Sequence, residues 1–192
     1  MYDSQQQPQQ GQPFQEMRQN VNMLVAVIQI IARMSEVFLR RPGTWGERYC
    51  GLQFVLSWIF CFCFSSLFYP REDPRPMLSF WLAATALLLV HRICGVWRRR
   101  FGYESHSLYS GRSWFAGDEI RAKTFKEPIV TILVGVFVLY GSTPLGVYLI
   151  VAGICLGVAN QYQAFAEDAR VRQARDARID AEILMQRLRQ NQ

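Results

Sequence analysis

Two pairs of apolar segments, each pair closed by a loop of a few residues, set the limits on this chain: 50–70 with 77–97, and 129–140 with 145–160. Segments this apolar have no soluble partner to bury against in a chain of 192 residues. Backbone polar groups satisfied within helices make the bilayer a workable solvent for them. A soluble domain would spread its apolar residues at helix or strand period, whereas here they come in blocks. The expectation is an all-α integral membrane protein with two helical hairpins (four membrane segments), an N-terminal amphipathic helix and a long C-terminal helix.

The placement of charge supports that reading. The net charge of +6 is carried by nineteen arginines and only two lysines against 15 acidic residues. Nucleic acid is one partner for such a balance, and the positive-inside bias of membrane proteins is the other. Arg40, Arg41 and Arg48 precede the first apolar segment, and Arg98, Arg99 and Arg100 follow the second. The loop Arg71–Arg75 between them balances to zero. That alternation is topology, so no nucleic-acid partner is expected. Basic flanks at 40–48, 92–100, 121–126 and 170–178 all fall on one side, which predicts a plasma or inner membrane protein with both termini cytoplasmic.

Six segments follow. Residues 1–13 are Gln-rich and too polar to order themselves, so they read as a disordered tail with no secretory signal expected. Within 14–41, polar side chains at Gln15, Arg18, Asn22, Gln29, Arg33, Glu36 and Arg40 form one narrow stripe at helical spacing. This predicts an amphipathic helix lying in the membrane interface. A span with its stripe turned toward other helices is the alternative, and a protein-bound amphipathic helix the soluble rival. The breaker stretch 41–48 ends that helix, with Trp45 and Tyr49 where an aromatic belt belongs. Residues 50–97 form the first transmembrane hairpin, turning at the prolines between 70 and 76. Residues 98–127 form a cytoplasmic polar loop.

Residues 128–160 form the second hairpin. Its first arm covers only about 20 Å of a roughly 30 Å hydrocarbon core, so it crosses with thinning or re-enters. Residues 161–192 form a charged helix with i,i+4 pairs. Ala174, Ala177, Ala181, Leu184 and Leu188 give it a weak coiled-coil seam.

Candidate functional residues are few. Gly153 and Gly157 fit the small-x-x-x-small pattern for close helix approach, with Gly135 on the preceding arm as the expected partner surface. Arg92, Arg98, Arg99 and Arg100 form a basic collar suited to lipid headgroups. Arg92 beside His91 can snorkel to the interface, while His91 at membrane depth is the one residue in the hairpins placed for a proton or ion path. His106, Tyr109 and Arg112 mark a structured loop that could engage a partner.

Residues two apart in a loop do not define a Ser–His–acid site, and no G-x-S-x-G, P-loop or HExxH occurs. Cys61 and Cys63 face nearly opposite ways on a helix, so no metal site is expected, and no cofactor either. The chain is therefore expected to be no enzyme but a multi-pass scaffold or assembly component. Its partners would be the lipid bilayer and a protein or further copies of itself, held through the 98–127 loop and the C-terminal helix. A membrane-shaping hairpin protein and a small oligomeric channel or transporter are the two alternatives.

Overall fold

The computed structural model describes residues 12–46, 51–102, 111–115 and 117–190. All the regular structure among them is helical: α1 (Gln12–Leu39), α2 (Leu52–Phe68), α3 (Arg75–Arg100), a single turn α4 (Glu119–Arg121), a π-helical stretch Ala122–Lys126, α5 (Glu127–Val138) and α6 (Thr143–Gln190). Three helices are long and apolar enough to cross a membrane, in the segments Gln19–Leu39, Arg75–Arg100 and Thr143–Gln186. Helix α2 is a shorter apolar helix.

Proline and backbone capping set the boundaries. Tyr69 donates its N–H to the Ser65 carbonyl at 2.8 Å and closes α2 just before Pro70. Helix α3 restarts after Pro74 with Pro76 in its first turn, where a missing N–H costs nothing. Between α5 and α6, the Val138 carbonyl accepts from both Gly141 and Ser142 at 2.9 Å. Pro128 and Pro144 occupy the first turns of α5 and α6.

Helices α2 and α3 pair through Trp58 and Trp81, whose rings lie 4.6 Å apart. Trp58 Nε1 donates to Thr85 Oγ1 at 2.9 Å, and Trp81 Nε1 donates to the Trp58 carbonyl at 3.2 Å. The half-buried indoles thus both find acceptors. Tyr148 of α6 is fully buried and meets Phe64 of α2 and Phe80 of α3 edge-on. Phe80 in turn stacks on Phe38 of α1 at 5.1 Å.

Helices α5 and α6 pack through glycine. A Cβ on Gly135 would sit 2.8 Å from the Ile150 backbone nitrogen, and one on Gly153 would sit 2.7 Å from Ile132 Cγ1. Gly146, not singled out in the sequence, is as tight against Leu139 at 2.7 Å. Gly157 has only ordinary contact with Pro128, at 3.4 Å.

Helix α1 is built into this bundle. Ala32, Met34 and Val37 are buried, and so are the stripe residues Arg33, Glu36 and Arg40. The stripe therefore faces other helices over its last turns, while Asn22 nearer its start is exposed. Tyr148 near the start of α6 donates its hydroxyl to the Ile31 carbonyl at 3.3 Å. Further along both helices, Arg40 meets Glu127, which lies beside the Pro128 that touches Gly157. So α1 and α6 run in the same direction, and α1 ends where α3 ends and α5 begins. This gives the bundle a turn end, at residues 69–76 and 139–143, and a basic end.

Some expected boundaries move. Helix α1 already starts at Gln12, inside the stretch expected to be a disordered tail, and residues 1–11 lie outside the described part. The region expected to be a polar loop over 98–127 is helical at both margins: Arg98–Arg100 complete α3, and 119–126 are helical. Trp45, expected at a lipid interface, is instead buried and stacked on His91, with centroids 4.1 Å apart. Helix α6 is one continuous helix, and Ala174, Ala177, Ala181 and Leu184 are exposed along it with no partner helix among the described residues.

Candidate functional site

The densest chemistry lies at the basic end, where α1 stops. A helix leaves its last carbonyls without intrahelical donors. Here Arg40 N–H reaches the Glu36 carbonyl at 3.1 Å, and Trp114 N–H reaches the Leu39 carbonyl at 3.2 Å. His91 Nε2 lies 3.1 Å from the Val37 carbonyl. Because a carbonyl can only accept, Nε2 carries the proton in this arrangement. His91, the candidate for an ion path, thus serves as a cap for α1 and a platform for Trp45. Its Nδ1 is buried without a partner among the described residues.

Segment 111–115 docks on the same terminus. Arg41 N–H donates to the Arg112 carbonyl and Arg112 N–H donates to Thr44 Oγ1, both at 2.9 Å. Arg40 and Ser113 form an isolated antiparallel bridge. Gly111 makes the approach possible: its φ is +87°, and any Cβ there would run into the Trp45 ring.

Beneath this cover sits an ion pair with no solvent exposure on either side chain, Arg40 Nη2 to Glu127 Oε2 at 3.0 Å. The distance is that of a salt bridge, but the groups meet off-axis. None of the guanidinium nitrogens or carboxylate oxygens has an aligned hydrogen-bond partner among the described residues. Burial pushes the Glu127 carboxyl above its usual range, while Arg40, Ser113 and Lys123 pull it down and Glu36 pushes it up. Burial pushes the Lys123 ammonium down, and Glu119, four residues earlier, opposes that. Both groups precede Pro128, where the second apolar hairpin begins.

The pair belongs to a longer alternation. Arg33 and Glu36 form a second buried pair at 3.2 Å on α1. Asn160 of α6 donates Nδ2 to the Lys123 carbonyl at 2.6 Å, inside the π-helical stretch. A π-helix widens the turn and disturbs the regular bonding, so a donor arriving from another helix ties that turn to α6. Thr131 Oγ1 donates to the Glu127 carbonyl at 2.8 Å. Four chain segments (the end of α1, 111–115, 122–127 and α6 near Asn160) thus meet around two opposite charges.

The arrangement fastens the end of α1 to the start of α5 through the Arg40–Glu127 pair. No group of three or more His, Cys, Asp or Glu among the described residues is placed to hold a metal ion. The candidates from sequence scatter. Gly135 and Gly153 sit at the α5–α6 contact. Arg92, Arg98, Arg99 and Arg100 are exposed on the last turns of α3. Arg112 is exposed and takes part through its backbone, while His106 and Tyr109 lie outside the described residues.

Glu127, Ser113 and Asn160 were not singled out in the sequence. Their traces there are slight: an acid directly before Pro128, and an amide closing an apolar run. Arg33, Glu36 and Arg40 were visible as a stripe, but not as charges that need buried partners. No family model, curated protein or solved structure matches this chain.

Proposed function

We propose that this protein is a multi-pass membrane scaffold whose bundle anchors and orients the free part of α6. One observation carries the reading: α6 is a single 48-residue helix. Its first part packs in the bundle through Tyr148, Ala152, Leu156 and Asn160, and from 165 onward it is almost wholly exposed. At 1.5 Å per residue the free part, residues 165–190, reaches about 39 Å beyond the bundle. Such a rigid arm transmits position, and its paired charges (Arg178 Nε to Glu182 Oε1 at 3.1 Å) suit a solvated surface that presents itself to a protein.

Five helices crossing the bilayer is the arrangement the packing favours. The parallel run of α1 and α6 supports a crossing α1 over an interfacial one, and an odd count sets the start of α1 opposite the arm. This departs from the expectation of both termini on one face, which followed from α1 lying flat. The positive-inside bias then makes the basic end and the arm cytoplasmic. A wedge-like shaping role loses support, because it needs α1 beside the hairpins rather than among them.

The test is photocrosslinking in native membranes from probes at Val171 and Ile179 on the arm. The expected result is one discrete larger species carrying a foreign subunit, absent when the probe sits at Val134 on α5. A monomer or a pure homo-oligomer at every probe position would overturn the scaffold reading. A second reading is favoured by the buried Arg33–Glu36 pair, since ionisable groups inside a membrane bundle often line a path. Proton or ion flux in reconstituted vesicles that vanishes in Glu36→Gln would move the conclusion there.

A further inference from the structure

We infer that the basic end carries a binding surface for anionic phospholipid headgroups, built from cations that each stand beside an exposed aromatic or aliphatic side chain. The inference rests on the membrane reading above. On the last turns of α3, Trp97 is 66% and Phe101 74% exposed, on either side of Arg98–Arg100. On segment 111–115, the exposed Trp114 lies under the Arg41 guanidinium, 5.6 Å from the ring centroid. On the stretch leading to α5, Phe125 is 56% exposed beside the exposed Lys126, while Ala122 and Glu127 of the same stretch are buried. Three separate segments therefore repeat one pattern at one end of the molecule.

Orientation in a membrane explains the charges without their neighbours. It needs arginine on one side and says nothing of Trp114 or Phe125. Water does not favour large exposed rings, but the boundary between headgroups and acyl chains accepts both halves of the pattern. A guanidinium matches a phosphodiester bidentately, and the ring beside it lies against the chain. A free phosphate would use only the cations. A bilayer lipid uses both, which is why the surface is assigned to lipid. The buried inward face of 122–127, held by Glu127 to Arg40 and by the Lys123 carbonyl to Asn160, fixes Phe125 outward.

The experiment uses the full chain, purified in neutral detergent and offered phosphatidylglycerol and phosphatidylcholine in equal amounts, with retained lipid read by native mass spectrometry. Wild type should retain phosphatidylglycerol over phosphatidylcholine by roughly tenfold or more. Arg99→Gln with Arg100→Gln should bring the ratio close to one, the matching lysine pair, which keeps the charge but loses the bidentate fork, should restore only part of it, and Phe125→Ser should lower retention of both lipids. Equal retention by wild type, or an unchanged preference in the glutamine pair, would overturn the inference.

Displacement of the lipid by excess inorganic phosphate would also overturn it, in favour of a small-anion site. A chain that stays monodisperse without detergent and retains neither lipid would instead overturn the membrane reading itself. An unchanged thermal transition in the glutamine pair separates lost binding from lost folding.

Discussion

Arg40→Met is expected to destabilise the bundle by about 3–5 kcal/mol, because it leaves the Glu127 carboxylate buried without its counter-charge. Glu127→Leu should cost a comparable amount by stranding the guanidinium. The double variant Arg40→Met with Glu127→Leu should recover most of the loss, because a sealed ion pair gains little over apolar side chains of similar volume. A double-mutant cycle from denaturant titration in detergent micelles measures the coupling directly. Additive single losses would mean that the two charges do not sustain each other. The effect should spread, since α1, segment 111–115 and the start of α5 all close over the pair. Limited proteolysis in the 111–118 region should therefore accelerate in either single variant and return to normal in the double.

Gly135→Ala is expected to be the second large effect. The new methyl would press on the Ile150 backbone nitrogen at 2.8 Å and the Gly146 carbonyl at 3.0 Å. Backbone cannot swing aside as a side chain can, so α5 and α6 must separate, at about 1–3 kcal/mol or more. Gly157→Ala provides the contrast. Its nearest neighbour is Pro128 Cβ at 3.4 Å, an ordinary contact. There the helix-propensity gain of alanine, up to about 1 kcal/mol, should leave stability unchanged or slightly higher. Thermal melting of the two variants side by side checks the pair, and equal melting would show that the close approach through Gly135 does not hold the hairpin.

Much of the framework was legible because membrane-like segments announce themselves by composition. The two hairpin turns followed from prolines and glycines at 70–76 and 141–144, and the helical character of the tail after 160 followed from its lack of either residue, whereas its continuity with the last apolar segment did not. The glycines at 135 and 153 were readable because close helix approach demands the absence of a side chain.

The place of α1 was not readable to the same degree. A helix with one polar stripe suits a membrane surface and a bundle interior equally, and only the partners decide. Those partners are remote in sequence: Glu127 for Arg40, Tyr148 for the Ile31 carbonyl, His91 for the Val37 carbonyl. The same remoteness hid the role of segment 111–115, whose docking depends on one left-handed glycine and the edge of a buried tryptophan. Once α1 stands in the interior, the bundle does contain an acid, Glu36, that the hairpins alone lack. The conduction reading consequently gains a specific residue to test.

The proposed arrangement has five helices crossing the bilayer, with the arginine-rich flanks of the spans gathered at one end. Its most direct measurement is sidedness in sealed vesicles, with a protease-sensitive reporter fused ahead of α1 and another behind α6. Protease outside a uniformly oriented vesicle is expected to remove one reporter and spare the other until detergent is added. Removal of both together, with the lumen still sealed, would contradict it.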